Sequence, residues 1–362
     1  MASSNFSPPF MKAIVLSGTG GFEKLHYTDS QPVPKLMNGQ ILVKNTYAGF
    51  NFIDIYYRTG LYPSATGYPL ILGQEAAGIV VAIQGLNPYN FKMGDRVVWI
   101  GNGGYAEYTA LYGQQAVKIP PGVSDSDAAG SHLSGMTALS LITEAFPATK
   151  GHTVLVHAAA GGVGLLLCQL LHSEGVKVIA TAGGTEKCAL ARQNGAAHVI
   201  DYKSASGPSW TEKILELTEG EGVDAVSPPS FGRSHNGRKL TNGQVYDSVG
   251  KETWKGSIKV TKRKGKVVFF GSASKFIQHE MPVFKAYPNL CEGGPIPALD
   301  LALLRERNVS VVQPTLPNYI ATRDELEFYA YGVLERVQDG RLKVKKFKEY
   351  GWGGSSAGAQ GP

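Results

Sequence analysis

The sequence predicts an α/β protein of two domains, a β-rich barrel followed by a doubly wound parallel sheet. Its 362 residues suffice for two domains, at about 100–200 residues each. Short apolar runs punctuated by Gly, Pro and Asn fill residues 11–130, and from about Ser134 apolar strands alternate with helical patterns. Such alternation indicates βαβ units and therefore a parallel sheet.

The β-rich part contains short apolar runs bounded by turn residues, each long enough for one strand. They are MKAIVL (11–16), QILVKNTYA (40–48), AAGIVVAI (76–83), DRVVWI (95–100) and AEYTALY (106–112). This pattern predicts an irregular barrel.

The second part alternates strands and helices in chain order. We predict strands at TVLVHAA (153–159), VKVIATA (176–182), AHVIDY (197–202), VDAV (223–226) and GKVVFFG (265–271), with helices at 163–175, 185–195 and 209–220 between them. NVSVVQPTL (308–316) predicts a sixth strand, and residues 322–340 predict a helix with Thr322 or Asp324 near its N-cap.

Composition excludes several classes of protein. With 43% hydrophobic and 18% charged residues, the chain is neither disordered nor fibrous. No apolar run is long enough to span a membrane, and MASSNFSPPF lacks the pattern of a secretory signal. We therefore expect a cytoplasmic protein without a membrane partner. Cys168, Cys188 and Cys291 have the spacing of neither a disulfide framework nor a zinc site.

The net charge of +6 is concentrated in two basic runs, 259–268 and 340–350. Runs of this kind are usually solvated faces. They are also compatible with an electrostatic footprint for a cofactor phosphate or a nucleic acid, which requires a supporting motif.

Such a motif follows the first strand of the second domain. AAAGGVG (158–164) lies directly after an apolar strand and before a helix. In the dinucleotide fingerprint, three small residues make the turn, admit the pyrophosphate and let the helix pack on the strand. Ala159, Gly161 and Gly164 occupy these places, with alanine for the first glycine. A structural turn without a ligand is the alternative, which the βαβ context disfavours.

The residues at the end of the next strand indicate whether the cofactor is NADH or NADPH. An NAD-binding protein presents Asp or Glu there to the ribose 2′-hydroxyl, whereas VKVIATAGGTEK contains no acid at the strand end. Gly183 leaves room, and Lys187 and Tyr202 offer a cation and a hydroxyl. Each residue alone is more often an ordinary surface group, but together they favour the 2′-phosphate of NADPH.

Long segments at this point resemble the quinone oxidoreductases, the zeta-crystallin-like branch of the zinc-independent medium-chain dehydrogenase/reductase superfamily. The similar segments cover most of residues 11–348; they are AGFNFIDIYYRTGLYP (48–63), LGQEAAGIV (72–80), GDRVVW (94–99), GGYAEY (103–108), SGMTALSLI (134–142), VHAAAGGVGLLLCQL (156–170), VYDSVG (245–250), KRKGKVVFFGSAS (262–274) and PTLPNYIATRDEL (314–326).

The resemblance and the strand pattern together imply a GroES-like β-barrel catalytic domain over 11–132, completed by 318–350, and a Rossmann NADPH-binding domain over 133–317, with the active cleft between them. Metal-dependent relatives hold zinc through a Cys and a His, where this sequence has Asn51 and Gln74. We therefore expect no metal. Gln74 and Glu75 are alternatively a buried polar pair that holds the barrel together.

By resemblance, Asn51 contacts the nicotinamide end, and Tyr56, Arg58 and Tyr62 line the acceptor cleft. Two tyrosines and an arginine suit a planar, electron-poor ring, although ordinary packing is the alternative for each tyrosine. The resemblance also places around NADPH, besides Ala159 and Gly164 of the fingerprint, the residues Thr137, Gly161, Gly162, Val163, Gly183, Lys187, Tyr202, Ser248, Phe270, Gly271 and Ser272.

Two blocks of nineteen residues, 227–245 and 275–293, depart from the family pattern. Their removal restores VDAVYDSVG and FFGSASGPIPALDL, and Pro228-Pro229 cannot continue a central strand. Our hypothesis is intron-like sequence read through as coding, and natural functional insertions are the alternative. If the protein exists as written, we expect the two blocks to obstruct the site. The Gly/Ser-rich end, 351–362, replaces a family helix and strand, and its composition predicts disorder.

The resemblance implies NADPH-dependent reduction of small quinones or other electrophilic acceptors, without zinc. The alternatives are an enoyl or enone reductase on the same scaffold, and a non-catalytic homologue that is structural or binds AU-rich RNA, for which the basic runs are the only support. The family is commonly a homodimer or homotetramer, in which the sixth strand could pair across a two-fold axis.

Overall fold

A computed structural model describes residues 8–204, 207–223, 244–250, 252–271 and 301–351. The chain divides into two compact units, Met1–Met136 with Ile320–Pro362, and Thr137–Tyr319. Within the described ranges, no helix is both long and apolar enough to cross a membrane.

The first unit is built from two antiparallel sheets, as the apolar runs predict. The three-stranded sheet has the order β2 (Leu25–Pro32), β1 (Phe10–Leu16), β4 (Leu70–Ile71). The five-stranded sheet has the order β7 (Tyr108–Tyr112), β3 (Gln40–Ala48), β5 (Glu75–Ile83), β6 (Arg96–Ile100), β8 (Ala116–Lys118). The β-rich character of this unit is therefore confirmed. Trp99 and Val80 are fully buried in the core of the larger sheet.

The first unit also contains helices that the apolar pattern alone does not predict. Helix α1 (Phe52–Thr59) begins after Asn51 and ends at Gly60, whose φ of 76° is the left-handed conformation that glycine adopts readily. Helix α2 (Asp125–Ser140) consists mostly of small residues and has a weak apolar stripe. The predicted C-terminal helix is confirmed at Arg323–Gln338, and the Thr322 side chain accepts from the Glu325 N–H as its N-cap.

The second unit holds one parallel sheet of six strands. Its order is β11 (His198–Asp201), β10 (Lys177–Ala182), β9 (Thr153–Val156), β12 (Gln244–Asp247), β13 (Lys266–Phe269), β14 (Ser310–Val312). The helices are α3 (Gly162–Ser173), α4 (Thr185–Gln193), α5 (Trp210–Leu217) and α6 (Trp254–Lys259), with short helices at Leu301–Arg305 and Leu316–Tyr319. The strand order reverses between β9 and β12, which is the position where doubly wound sheets bind ligands. The predicted α/β fold class is confirmed.

The fourth strand differs from the predicted one at 223–226. It is β12, in which Val245 is buried between Leu155 and Val267. Val223 forms only an isolated bridge to Thr261, and 224–226 lie outside the described residues. The last two residues of the block 227–245 therefore belong to the sheet. Because positions 226 and 245 are both valine, removing 226–244 would leave the same sequence and keep Val245.

The other departures from the family pattern lie largely where the structure gives no description. Residues 227–243, the whole block 275–293 and residues 352–362 are outside the described ranges. Their predicted character therefore stays a prediction.

Candidate functional site

The glycine-rich turn connects β9 to α3 with a close backbone approach. A Cβ atom at Gly164 would lie 2.4 Å from the Ala158 carbonyl oxygen and 2.8 Å from the Ala159 Cα. Only glycine therefore fits at this place, as the third position of the fingerprint requires. At Gly162, by contrast, a Cβ would meet nothing within 4 Å. This N-terminus of α3 has free space above it, which fits a bound pyrophosphate.

The predicted cofactor residues of the second unit lie along the carboxyl edge of the sheet. Ala159–Gly164 follow β9, Gly183 follows β10, Tyr202 follows β11, Ser248 follows β12, and Phe270 and Gly271 follow β13. A Cβ at Gly271 would lie 3.0 Å from the Ser248 carbonyl oxygen, so these two strand ends touch. Thr137 is half-buried on α2, and Ser272 lies outside the described residues.

The end of β10 carries the group expected to select the cofactor. A Cβ at Gly183 would lie 2.7 Å from the Tyr202 hydroxyl and 3.1 Å from the Lys203 Cε. The space that Gly183 leaves is therefore occupied by a phenol and a lysine stem. Lys187 is exposed on the first turn of α4. Sequence reasoning missed Lys203, although its place in VIDYK, one residue after Tyr202, was a readable signal.

The acid of that segment, Asp201, is committed to backbone contacts. Its Oδ1 accepts from the N–H groups of Gly184 and Lys203, each at 2.9 Å. The hydrogen bond from Gly184 is the main reason that the pKa of Asp201 is lowered. The carboxylate thus holds the β10 turn and the Lys203 backbone together.

In the first unit, Asn51 is held by two buried carboxyl groups. Its Nδ2 donates to Glu75 Oε1 at 2.7 Å, and its backbone N–H donates to Asp54 Oδ2 at 2.9 Å. Glu75 Oε2 accepts from the Leu133 N–H at 2.5 Å, and Asp54 Oδ2 also accepts from the Tyr105 hydroxyl at 2.6 Å. When Glu75 is ionised it only accepts, so the Asn51 amide must face it with Nδ2 and not with Oδ1.

Burial controls the protonation of these acids. Desolvation raises the pKa of Glu75 to about 7 and that of Asp54 to about 6, against the lowering effect of their hydrogen bonds. Desolvation likewise raises the pKa of the Tyr105 hydroxyl. Glu75 can therefore exchange a proton near neutral pH. Sequence reasoning treated Glu75 as a partner of Gln74 and missed its contact with Asn51.

Gln74 and Glu75 are both buried, but each has its own partner. Gln74 Nε2 donates to Asn102 Oδ1, while Glu75 turns to Asn51 and Leu133. Among the described residues, no group of three or more His, Cys, Asp or Glu side chains is arranged to hold a metal ion.

The predicted acceptor residues fall into two groups. Tyr56 and Tyr62 form an aromatic pair with ring centroids 5.3 Å apart, and Tyr62 remains 38% exposed. Arg58 instead donates from Nη1 to the Gly20 carbonyl at 2.8 Å and stacks 4.5 Å over the Phe22 ring. Its guanidinium thus anchors the loop after β1, which is a structural role in addition to the predicted one.

A parallel sheet with a glycine-rich turn at its switch point, joined to a β-rich unit, is typical of nicotinamide-dependent medium-chain dehydrogenases. The family described as "Alcohol dehydrogenase GroES-like domain" matches residues 37–121, and the family described as "Zinc-binding dehydrogenase" matches residues 162–291.

Individual relatives narrow the class. The chain is 36% identical to a quinone oxidoreductase of Pseudomonas aeruginosa over 92% of this chain and 90% of that protein. It is also 36% identical to a probable quinone oxidoreductase of Schizosaccharomyces pombe, over 87% and 82% of the two chains. The structure of Escherichia coli quinone oxidoreductase complexed with NADPH matches with a TM-score of 0.77 and 32% identity, covering 92% and 90% of the two chains. The chain belongs to the quinone oxidoreductase family of zinc-independent medium-chain dehydrogenases/reductases, and its cofactor is a nicotinamide dinucleotide.

Proposed function

We propose that this protein reduces quinones with NADPH. The observation that carries the choice of cofactor is the group at Gly183, where Tyr202 and Lys203 meet and no acid directly follows the last residue of β10. Asp201, which contacts this turn, is bound to the backbone N–H groups of Gly184 and Lys203. A hydroxyl and a cation at this place favour a ribose 2′-phosphate over a free 2′-hydroxyl. The quinone as acceptor is supported by the relatives that match over most of the chain.

When bound, the nicotinamide supplies the hydride, and no Lewis acid is required in this proposal. The residues of the first unit then serve the acceptor. The Tyr56 and Tyr62 rings provide an aromatic surface for a planar quinone, and their hydroxyls can donate to the oxygen on which negative charge develops. Asn51, with its amide orientation fixed by Glu75, is proposed to contact the nicotinamide end.

The proposal is tested by following NADPH oxidation with a panel of acceptors. We expect turnover with small ortho- and para-quinones, at a lower KM for NADPH than for NADH. Activity only with 2-enoyl thioesters or alkenals would identify the protein as an enoyl or enone reductase of the same fold and would contradict the quinone as acceptor. RNA affinity with a steep salt dependence, in a protein that oxidises no NADPH, would favour the non-catalytic alternative.

Lys203→Gln is expected to weaken NADPH binding about tenfold, because a charge-assisted contact to a phosphate contributes roughly 1.4 kcal/mol or more. NADH binding should not change. Fluorescence titration with both cofactors measures the ratio of their dissociation constants. Lys177→Gln is the matched control, since Lys177 is exposed at the opposite, amino end of β10. An equal loss for NADPH and NADH would remove Lys203 from the phosphate site.

A homodimer or homotetramer also stays a proposal. It is supported by the position of β14 at the edge of the six-stranded sheet. Among the described residues, no strand pairs with the outer side of β14, so a second copy of the chain could pair there. Light scattering of the purified protein measures the mass of the assembly.

A further inference from the structure

We propose that Ser257 is a positioning residue that joins the two loops expected to hold the cofactor, so that both take up their binding conformation together. The inference rests on the proposed NADPH site. The first loop follows β9 and carries Ala159–Gly164, and the second follows β12 and carries Ser248. The two strands are neighbours at the switch point of the sheet.

The first half of the link is His157, at the start of the β9 loop. It is buried, and both ring nitrogens are engaged: Nδ1 lies 2.8 Å from Thr181 Oγ1 and Nε2 lies 3.1 Å from Ser257 Oγ. Its backbone N–H donates to the Tyr246 carbonyl at 3.0 Å, and its ring stands edge-on to Trp210 at 4.8 Å between centroids. The imidazole is therefore fixed in position and in orientation.

The second half is Asp247, the last residue of β12, which is fully buried. Its Oδ1 accepts from the N–H groups of Val249 and Gly250, each at 2.9 Å, and from Thr253 Oγ1 at 2.9 Å. Its Oδ2 accepts from Ser257 Oγ at 2.7 Å. One carboxylate thus shapes the loop that carries Ser248, and Ser257 holds that carboxylate.

The hydrogens of this chain can be assigned from the partners alone. Asp247 accepts three hydrogen bonds at Oδ1 and one at Oδ2, and the single hydroxyl hydrogen of Ser257 points to Oδ2. Ser257 Oγ must then accept from His157, which places the imidazole hydrogen on Nε2. Nδ1 is left as an acceptor for the Thr181 hydroxyl. Each group thus donates to the next, from Thr181 to His157, Ser257 and Asp247. If one of these hydrogen bonds reversed its direction, a buried polar group would be left without a partner.

The first loop needs such support because its backbone is strained. Ala158, directly after His157, has a φ of 48°, a left-handed conformation that is unfavourable for a residue with a Cβ. The Ala159 N–H donates to the Thr181 carbonyl at 3.1 Å, on the far side of the turn. The turn is thus held from β10 and, through His157 and Ser257, from the β12 loop. Loss of Ser257 is expected to loosen both loops at once.

The test begins without any cofactor. Hydrogen–deuterium exchange of the full-length protein is followed in peptides covering 157–165 and 245–250, with β5 as an internal reference for global unfolding. We expect Ser257→Ala to accelerate exchange at least tenfold in both loops. Thr261→Val is the matched control. Thr261 lies two residues after the end of α6 and is also fully buried, and its hydroxyl donates to the Ser257 carbonyl. This control should leave both loops unchanged.

The consequence for binding is measured next by NADPH titration and steady-state kinetics. Ser257→Ala should raise the Kd and the KM for NADPH about tenfold, with the KM for the quinone unchanged, whereas a general loss of folded protein would lower kcat alone. If Ser257→Ala does not fold, Thr181→Val, which keeps the side-chain volume, should still loosen the 245–250 loop through His157.

The outcomes separate the two proposals. Faster exchange in only one loop, or unchanged NADPH affinity when both loops are loosened, overturns the positioning role of Ser257. A wild-type protein that fails to bind NADPH overturns the proposed cofactor, while the exchange result still decides whether Ser257 joins the loops.

Discussion

Gly164→Ala is expected to destabilise the folded protein by about 2–3 kcal/mol and to abolish detectable cofactor binding. The added methyl would lie 2.4 Å from one backbone atom and 2.8–2.9 Å from two others, all in Ala158 and Ala159. No side chain can rotate to relieve these contacts, so α3 would have to move away from β9. Overpacking of this kind costs about 1–3 kcal/mol and displaces the backbone.

Gly162→Ala is the matched control for Gly164→Ala. It is two residues away in the same helix, and its added methyl would meet nothing within 4 Å. Alanine is more favourable than glycine within a helix by up to about 1 kcal/mol, so stability should be unchanged or higher. Urea unfolding without cofactor measures the free energy of unfolding of both variants. Equal stabilities for the two variants would contradict the close approach at the third glycine.

The second large effect concerns Glu75 and pH. Glu75→Gln should gain stability relative to the wild type by about 3 kcal/mol as the pH rises from about 4.5 to about 7. Burial raises the pKa of Glu75 from 4.5 to about 7. Over this range, the unfolded wild-type chain has lost the proton while the folded protein still binds it. The contribution of Glu75 to stability is therefore full below pH 4.5 and is lost as the pH approaches 7. Glutamine does not titrate, so the difference reports the ionisation of Glu75 together with its coupling to Asp54.

The same substitution is expected to lower turnover about tenfold. In its ionised form, Glu75 accepts at both oxygens, from the N–H groups of Asn51 and Leu133. Glutamine keeps its oxygen for the Leu133 N–H and must then offer its own NH₂ to Asn51. The Asn51 amide would have to reverse and present nitrogen in place of Oδ1.

Urea unfolding between pH 4 and 8 measures the free energy of unfolding of both proteins. The buried histidines His132 and His157 titrate in both proteins, so their effects cancel in the difference. The charge of Asp54 contributes to the raised pKa of Glu75, so the difference also contains the coupling between these two acids. Glu107→Gln is the control, because Glu107 also accepts a backbone N–H, from Lys12 at 2.8 Å. A pH-independent difference between wild type and Glu75→Gln would show that Glu75 ionises as in an exposed site.

Much of the second unit could be predicted from the sequence because its determinants are local. Strand β9, the glycine-rich turn and helix α3 follow one another directly. In the first unit, the Thr322–Glu325 cap of the C-terminal helix is local in the same way, because it spans one turn. Helices α1 and α2 were not predicted. α1 is short, and α2 lacks a strong apolar stripe, so periodicity carried little information. The bounds of the fourth strand could not be predicted from the sequence, because VDAV and QVYD are both plausible strands. The ladder with Leu155 and Val267 contains the second, and residues 224–226 of the first lie outside the described residues.

The sequence by itself determined the two-part α/β architecture, the glycine-rich turn between β9 and α3, and the presence of Asn51 and Gln74 where zinc-dependent relatives have ligands. It also led to our prediction of a cofactor with a ribose 2′-phosphate. These follow from residue type and from neighbours along the chain. Only the tertiary structure decided that Lys203 joins Tyr202 at Gly183, that Glu75 holds Asn51, and that His157, Ser257 and Asp247 form one chain. The pairs Asn51–Glu75 and His157–Ser257 are 24 and 100 residues apart. A contact over such a separation depends on how the strands are ordered and how far the groups are buried, and no local pattern in the sequence records either.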